Sequence, residues 1–147
     1  MMTLEAVRDH FRRFDPLSGH FGIAVVELDG AHSVAVMPLE ARHRNGMGTA
    51  HGGAIFTLAD VAFAALSNGD GLYCTNAQTS ISYLAPGRIG PLRAEARTLR
   101  AGRLLSTYEV RVTDADGTLV AEAVVTGYRV GAPIPMPEQV RPYPSKE

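Results

Sequence analysis

The sequence predicts an α+β fold in which a curved antiparallel sheet wraps around one central helix. Three observations carry this. Only one long stretch, Ala54–Leu66, reads as a helix that is apolar nearly all round, as a helix buried on most sides should be. A β-branched pair of runs precedes it and four extended candidates follow it. Most connections between those runs are short and rich in turn formers, which favours antiparallel neighbours over parallel strands joined by crossovers.

From the N-terminus, Leu4, Val7, Phe11 and Phe14 recur at helical spacing, and Asp15-Pro16 with Ser18-Gly19 ends that short amphipathic helix. Gly22–Leu28 and Ser33–Met37 form a hairpin around Asp29-Gly30. Leu39–Ala50 is irregular, with Asn45-Gly46 and Gly48 as turn formers, and the central helix follows. Thr75–Leu84, Leu92–Leu99, Leu104–Val112 and Leu119–Val130 then read as a meander linked by Pro86-Gly87, Ala101-Gly102 and Asp114–Gly117. One domain spanning residues 1–130 accounts for this pattern. Residues 131–147 form a Pro-rich tail expected to be extended.

Composition narrows the function classes. The 147 residues suit a single core, and 14 basic against 15 acidic side chains argue against a nucleic-acid binder working by counterion release. No apolar run reaches membrane-spanning length, and the charged N-terminus lacks the apolar core of a signal peptide, so a cytoplasmic protein without membrane contact is expected. Thirteen of the fourteen basic residues are Arg. Genomic base composition and phosphate recognition by guanidinium forks both account for that bias. The single cysteine, Cys74, begins a strand and reads as a buried, inert thiol. His10, His20, His32 and His43 show no metal-ligand spacing, and no metal is expected.

Asp60 breaks the apolar pattern of the central helix. An unpaired buried carboxylate costs several kcal/mol or shifts its pKa, so something must compensate. Either Asp60 faces solvent on a narrow polar stripe or makes a structural bond, or it is a site carboxylate acting as nucleophile or general base. Where this helix begins stands His51-Gly52-Gly53. A helix N-terminus offers free N–H groups and partial positive charge, and glycines let a ligand approach them, an arrangement suited to a developing oxyanion. Asn45, six residues earlier, could orient a water.

The stretch Asn45-Gly-Met-Gly-Thr-Ala-His51-Gly52-Gly53, continuing to Asp60, resembles the hotdog-fold thioesterases of the phenylacetic-acid-degradation (PaaI) type. Ser82-Tyr83-Leu84-Ala85-Pro86-Gly87 and Gly117–Ala121 also fit, over roughly residues 8–130. The resemblance implies a hotdog fold and hydrolysis of acyl-CoA, with aromatic or medium-sized acyl groups, and no cofactor. It implies that Asp60 attacks the thioester or activates water, that the Gly52 N–H with His51 polarises the carbonyl, and that Asn45 helps hold the water. Gly53 and Asn76 fall beside the substrate. Asn76 stands where some relatives place Ser, and Val61 where some have Thr. Arg88 and Arg103, in turns, are the candidates for the CoA phosphates. A hotdog hydratase or dehydratase using His51, and a non-catalytic acyl-CoA-binding module, are the competing readings.

Helix geometry adds one expectation. Gly52 and Asp60 lie about 12 Å apart along the helix axis and differ by about 80° around it. One carbonyl cannot easily meet both groups in one chain. Two helices related by a two-fold axis could pair one N-terminus with the partner's Asp60, so a homodimer is expected; the resemblance implies that dimers assemble into a tetramer.

Overall fold

The computed structural model describes residues 1–135; Pro137, Pro142 and Pro144 of the expected tail lie outside the described residues. The elements are α1 (Leu4–Phe14), α2 (Pro16–Phe21), β1 (Ala24–Leu28), β2 (His32–Met37), a 3₁₀ turn (Ala41–His43), α3 (Gly52–Ser67), β3 (Leu72–Tyr83), β4 (Leu92–Arg100), β5 (Leu105–Thr113) and β6 (Leu119–Pro133). Six strands form one antiparallel sheet in the order β1-β2-β4-β5-β6-β3, and α3 packs across its inner face. The expected helix wrapped by a curved sheet is therefore present.

Small side chains let the helix lie close. Ala35, Ala94, Ala96, Ala121 and Ala123 are buried in the sheet, while Leu58, Ala62 and Phe63 are buried on α3. The hydroxyl of Ser33 donates to the Ala62 carbonyl at 2.6 Å, tying β2 to the helix. Further along, a Cβ at Gly127 would stand 2.7 Å from the Cys74 sulfur and 3.1 Å from the Tyr108 ring. Only glycine allows β6 to pass there.

Three features differ from the sequence reading. Asp15-Pro16 does end α1, but it also starts α2: Pro16 sits in the first turn and the Asp15 carboxylate accepts the Ser18 N–H at 3.1 Å. The dipeptide suits a helix start as well as a stop. α3 begins at Gly52 with His51 as its cap, at the helix start that His51-Gly52-Gly53 marks and two residues before the apolar stretch from Ala54. Finally, β3 pairs with β6 rather than continuing a meander into β4. The connection over residues 84–91 is too long for a hairpin and carries the chain across the sheet. β6 runs on to Pro133, so the first residues assigned to the tail belong to the β3–β6 ladder.

Asp114 organises that crossing connection. It is 5% exposed, and its carboxylate accepts the N–H groups of Arg88 and, at 2.9 Å, Ile89. Burial pushes its pKa up, but these backbone donors outweigh burial and hold it below the ordinary value. A depressed carboxylate pKa contributes stability that is complete above the unfolded-state pKa of about 3.9 and is lost as pH falls through the lower folded value. Asp114→Ala is expected to cost about 1–3 kcal/mol at pH 7. In thermal melts its deficit against the wild type should shrink as pH falls from about 5 to 2; a gap constant across that window contradicts the assignment.

Candidate active site

The start of α3 is built by three histidine contacts. The His51 Nδ1 accepts the Gly53 N–H at 2.9 Å, which leaves the proton of a neutral ring on Nε2. The His51 N–H donates to the His43 carbonyl at 2.8 Å, and the Ile55 N–H to the His51 carbonyl at 3.0 Å. Among the described residues, the Gly52 N–H has no acceptor. It is a free donor at the positive end of a helix of 16 residues. His43 is fully buried: its Nδ1 accepts the Glu40 N–H at 3.0 Å and its Nε2 donates to the Phe21 carbonyl at 2.9 Å.

The loop before α3 is held from within. The Asn45 Oδ1 accepts the N–H groups of Met47 (3.0 Å) and Thr49 (3.2 Å), and its Nδ2 donates to the Thr49 hydroxyl. One amide hydrogen is therefore left for a water. The Arg44 guanidinium donates to the carbonyls of Gly48 (2.7 Å), Leu39 (3.2 Å) and Arg88 (3.4 Å). Across the cleft, the Tyr83 hydroxyl donates to the Gly52 carbonyl at 3.1 Å, and the Ala50 N–H donates to the Gly87 carbonyl at 2.9 Å. Asn45, Gly52, Ile55, Tyr83 and Arg88 line one cavity of about 550 Å³.

Asp60 lies elsewhere. It is half-buried on a narrow stripe, one of the two places the sequence left open for it, because Gly53, Phe56, Thr57, Asp60 and Ala64 form a stripe of α3 that is not fully covered. The Asn76 Nδ2 donates to its Oδ1 at 2.8 Å and also meets the Thr79 hydroxyl. The other carboxylate oxygen has no partner among the described residues. Asp60 does not line the Gly52 cavity. The free Gly52 donor and the oriented Asp60 carboxylate thus lie at two separate places on α3. A base that moves a proton and a donor that stabilises negative charge are the requirements of acyl hydrolysis.

The remaining candidates separate. Gly53 is exposed and its N–H serves the helix cap. Arg88 is exposed at the cavity, whereas Arg103 lies in the β4–β5 turn, at the opposite end of β4 from Arg88. Val61 is buried, and burial raises the pKa of the buried Cys74 thiol. Sequence reasoning assigned no individual role to Arg44, Tyr83 or Asp114. Tyr83 stood inside the quoted Ser82–Gly87 stretch, but the bonds of Arg44 to Arg88 and of Asp114 to Arg88 and Ile89 join residues distant in sequence.

The thioesterase superfamily model matches residues 47–121. A putative esterase of Archaeoglobus fulgidus is 32% identical over 90% of this chain and 86% of its own length. The acyl-coenzyme A thioesterase PaaI of Escherichia coli is 31% identical over 82% of this chain and 86% of its own. The solved E. coli PaaI structure superposes with a TM-score of 0.83 at 28% identity, covering 89% of this chain and 95% of that one. A Streptococcus mutans protein solved bound to acetyl CoA matches with a TM-score of 0.71 at 30% identity, covering 76% and 91%.

Proposed function

The chain belongs to the thioesterase superfamily and is a hotdog-fold acyl-CoA thioesterase, and on that basis we propose that each active site is built by two chains. The observation that carries this reading is the separation of the free Gly52 N–H from Asp60 into two places on one helix. The outer edge of β3 supports it. This strand of 12 residues ends the sheet, with Asn76, Ala77 and Gln78 exposed beside Asp60. A long open edge invites pairing with another chain, and a two-fold across it would bring the partner's helix start towards Asp60.

In the assembled site, the thioester carbonyl accepts the Gly52 N–H of one chain. Asp60 of the other either deprotonates a water for attack or attacks the carbonyl carbon itself. Negative charge grows on the carbonyl oxygen as the tetrahedral centre forms, and the CoA thiolate leaves as the centre collapses. His51 holds the helix start open for this contact and presents its Nε2–H outward. Asn45 steadies the water with its remaining amide hydrogen, Asn76 orients the Asp60 carboxylate, and Gly53 keeps the approach clear. Arg88 meets the CoA phosphates. Arg103 could do so only from the far end of β4. The acyl groups are aromatic or medium-sized. Val124, Tyr128 and Val130 on β6, with Leu105 opposite Tyr128, expose an apolar strip where two dimers could pair into a tetramer. No described helix is long and apolar enough to cross a membrane, and a buried single thiol fits a reducing cytoplasm.

Thiol release across acetyl-, hexanoyl-, phenylacetyl- and palmitoyl-CoA tests the activity directly; no release from any of them overturns it. Gly52→Val tests the donor. Its Cβ would stand 3.3 Å from the Tyr83 ring and beside the N–H. Because the contact strengthens as charge develops, turnover at saturation should fall more than CoA affinity. Weakened CoA binding with intact turnover contradicts the role.

A further inference from the structure

A second cavity, of about 280 Å³, lies beneath α1. His10, Phe11 and Phe14 of α1 face Ala64 and Asn68 of α3 and Tyr73 of β3 across it. We propose that this cavity receives the acyl group and that the ring side chains of α1 set its size limit. This rests on the thioesterase reading above.

Two rails connect the cavity to Asp60. On α3, Ala64 follows Asp60 by one turn, about 6 Å along the axis, and lies on the same uncovered stripe. On β3, Asn76 holds Asp60, and Tyr73, three residues back, lines the cavity. The Asn68 side chain locks the rails together, accepting the Cys74 N–H at 2.8 Å and donating to the Cys74 carbonyl at 3.3 Å. An acyl chain whose carbonyl is attacked at Asp60 would run one turn along the stripe to Ala64 to reach this apolar space.

The walls suit a ring. His10 and Phe14 stand 5.2 Å apart between ring centroids, and burial lowers the His10 pKa despite the opposing pull of Asp15 and Asp9. Its imidazole thus presents a neutral face to an apolar group. An apolar cavity of about 150 Å³ holds benzene, so this one has room for a ring and its linker. Phe14, at the end of α1, stands in its wall where a longer chain would have to pass.

The test compares kcat/KM for acetyl-, hexanoyl-, phenylacetyl- and palmitoyl-CoA in the wild type, Ala64→Leu and Phe14→Ala. Ala64→Leu fills the cavity from the helix side and should lower the phenylacetyl-to-acetyl ratio at least tenfold. Phe14→Ala opens the far wall and should raise the palmitoyl-to-phenylacetyl ratio at least tenfold. Should Phe14→Ala fail to fold, Ala64→Leu decides alone, since it leaves α1 untouched. A wild type that releases thiol, with variants whose ratios stay within threefold of it, overturns the acyl pocket only. A wild type that releases none overturns the thioesterase reading and this inference with it.

Discussion

Asp60→Ala should lower acyl-CoA turnover by at least about a hundredfold, the low end for a lost acid–base group. The structure separates this from a folding defect. Asp60 is half-buried on an uncovered stripe and Asn76 is its one described partner, so its removal leaves the packed faces of α3 intact. Asp60→Asn should be equally inactive, because the amide keeps the size but neither accepts a proton from water nor attacks a carbonyl. Thiol release under saturating substrate, with thermal melts as the control, measures both. A folded Asp60→Ala protein that keeps more than a tenth of wild-type turnover contradicts the assignment.

Mixing two inactive proteins should restore activity. If Gly52 of one chain faces Asp60 of the other, a heterodimer of Asp60→Ala and Gly52→Val chains holds one doubly damaged site and one intact site. Activity per heterodimer should return towards half that of the wild type. The chains must be unfolded or dissociated, mixed, reassembled, and the heterodimer isolated by differential tags before assay. Purified heterodimers as inactive as both parents would place the site within one chain. The experiment depends on the separation along α3 and not on the chemistry assigned to Asp60, so it distinguishes architecture from mechanism.

How much of this was legible depended on the range of the interactions. α3 announced itself because its apolar character is continuous along the chain, and Asp60 stood out against it. The meander β4–β5–β6 was readable because each turn joins neighbours. The seat of β3 was not, since its pairing with β6 joins residues about forty apart or more, as in Tyr83 with Ala121 and Cys74 with Arg129. The same limit governed the site. His51-Gly52-Gly53 could be read as a helix start from its local chemistry. The Asn76–Asp60 bond and the Asp114 anchor needed the fold. The two readings of Asp60 stayed open because the sequence of a helix does not reveal which narrow stripe its own sheet leaves uncovered.

The Arg44 fork has a consequence for the loop it serves. Leu39 and Gly48 bracket the loop that holds Arg44 and Arg88 lies in the distant crossing connection, and one planar side chain joins their carbonyls. With the Ala50–Gly87 bond as a further tie, the loop bearing Asn45 and the connection bearing Arg88 open and close as one cooperative unit. A substrate that touches either side therefore stills both, and the entropic cost of ordering this wall is met once, largely during folding. Lysine, a single point charge without the fork, would leave the Ala50–Gly87 bond to join the two sides without the guanidinium.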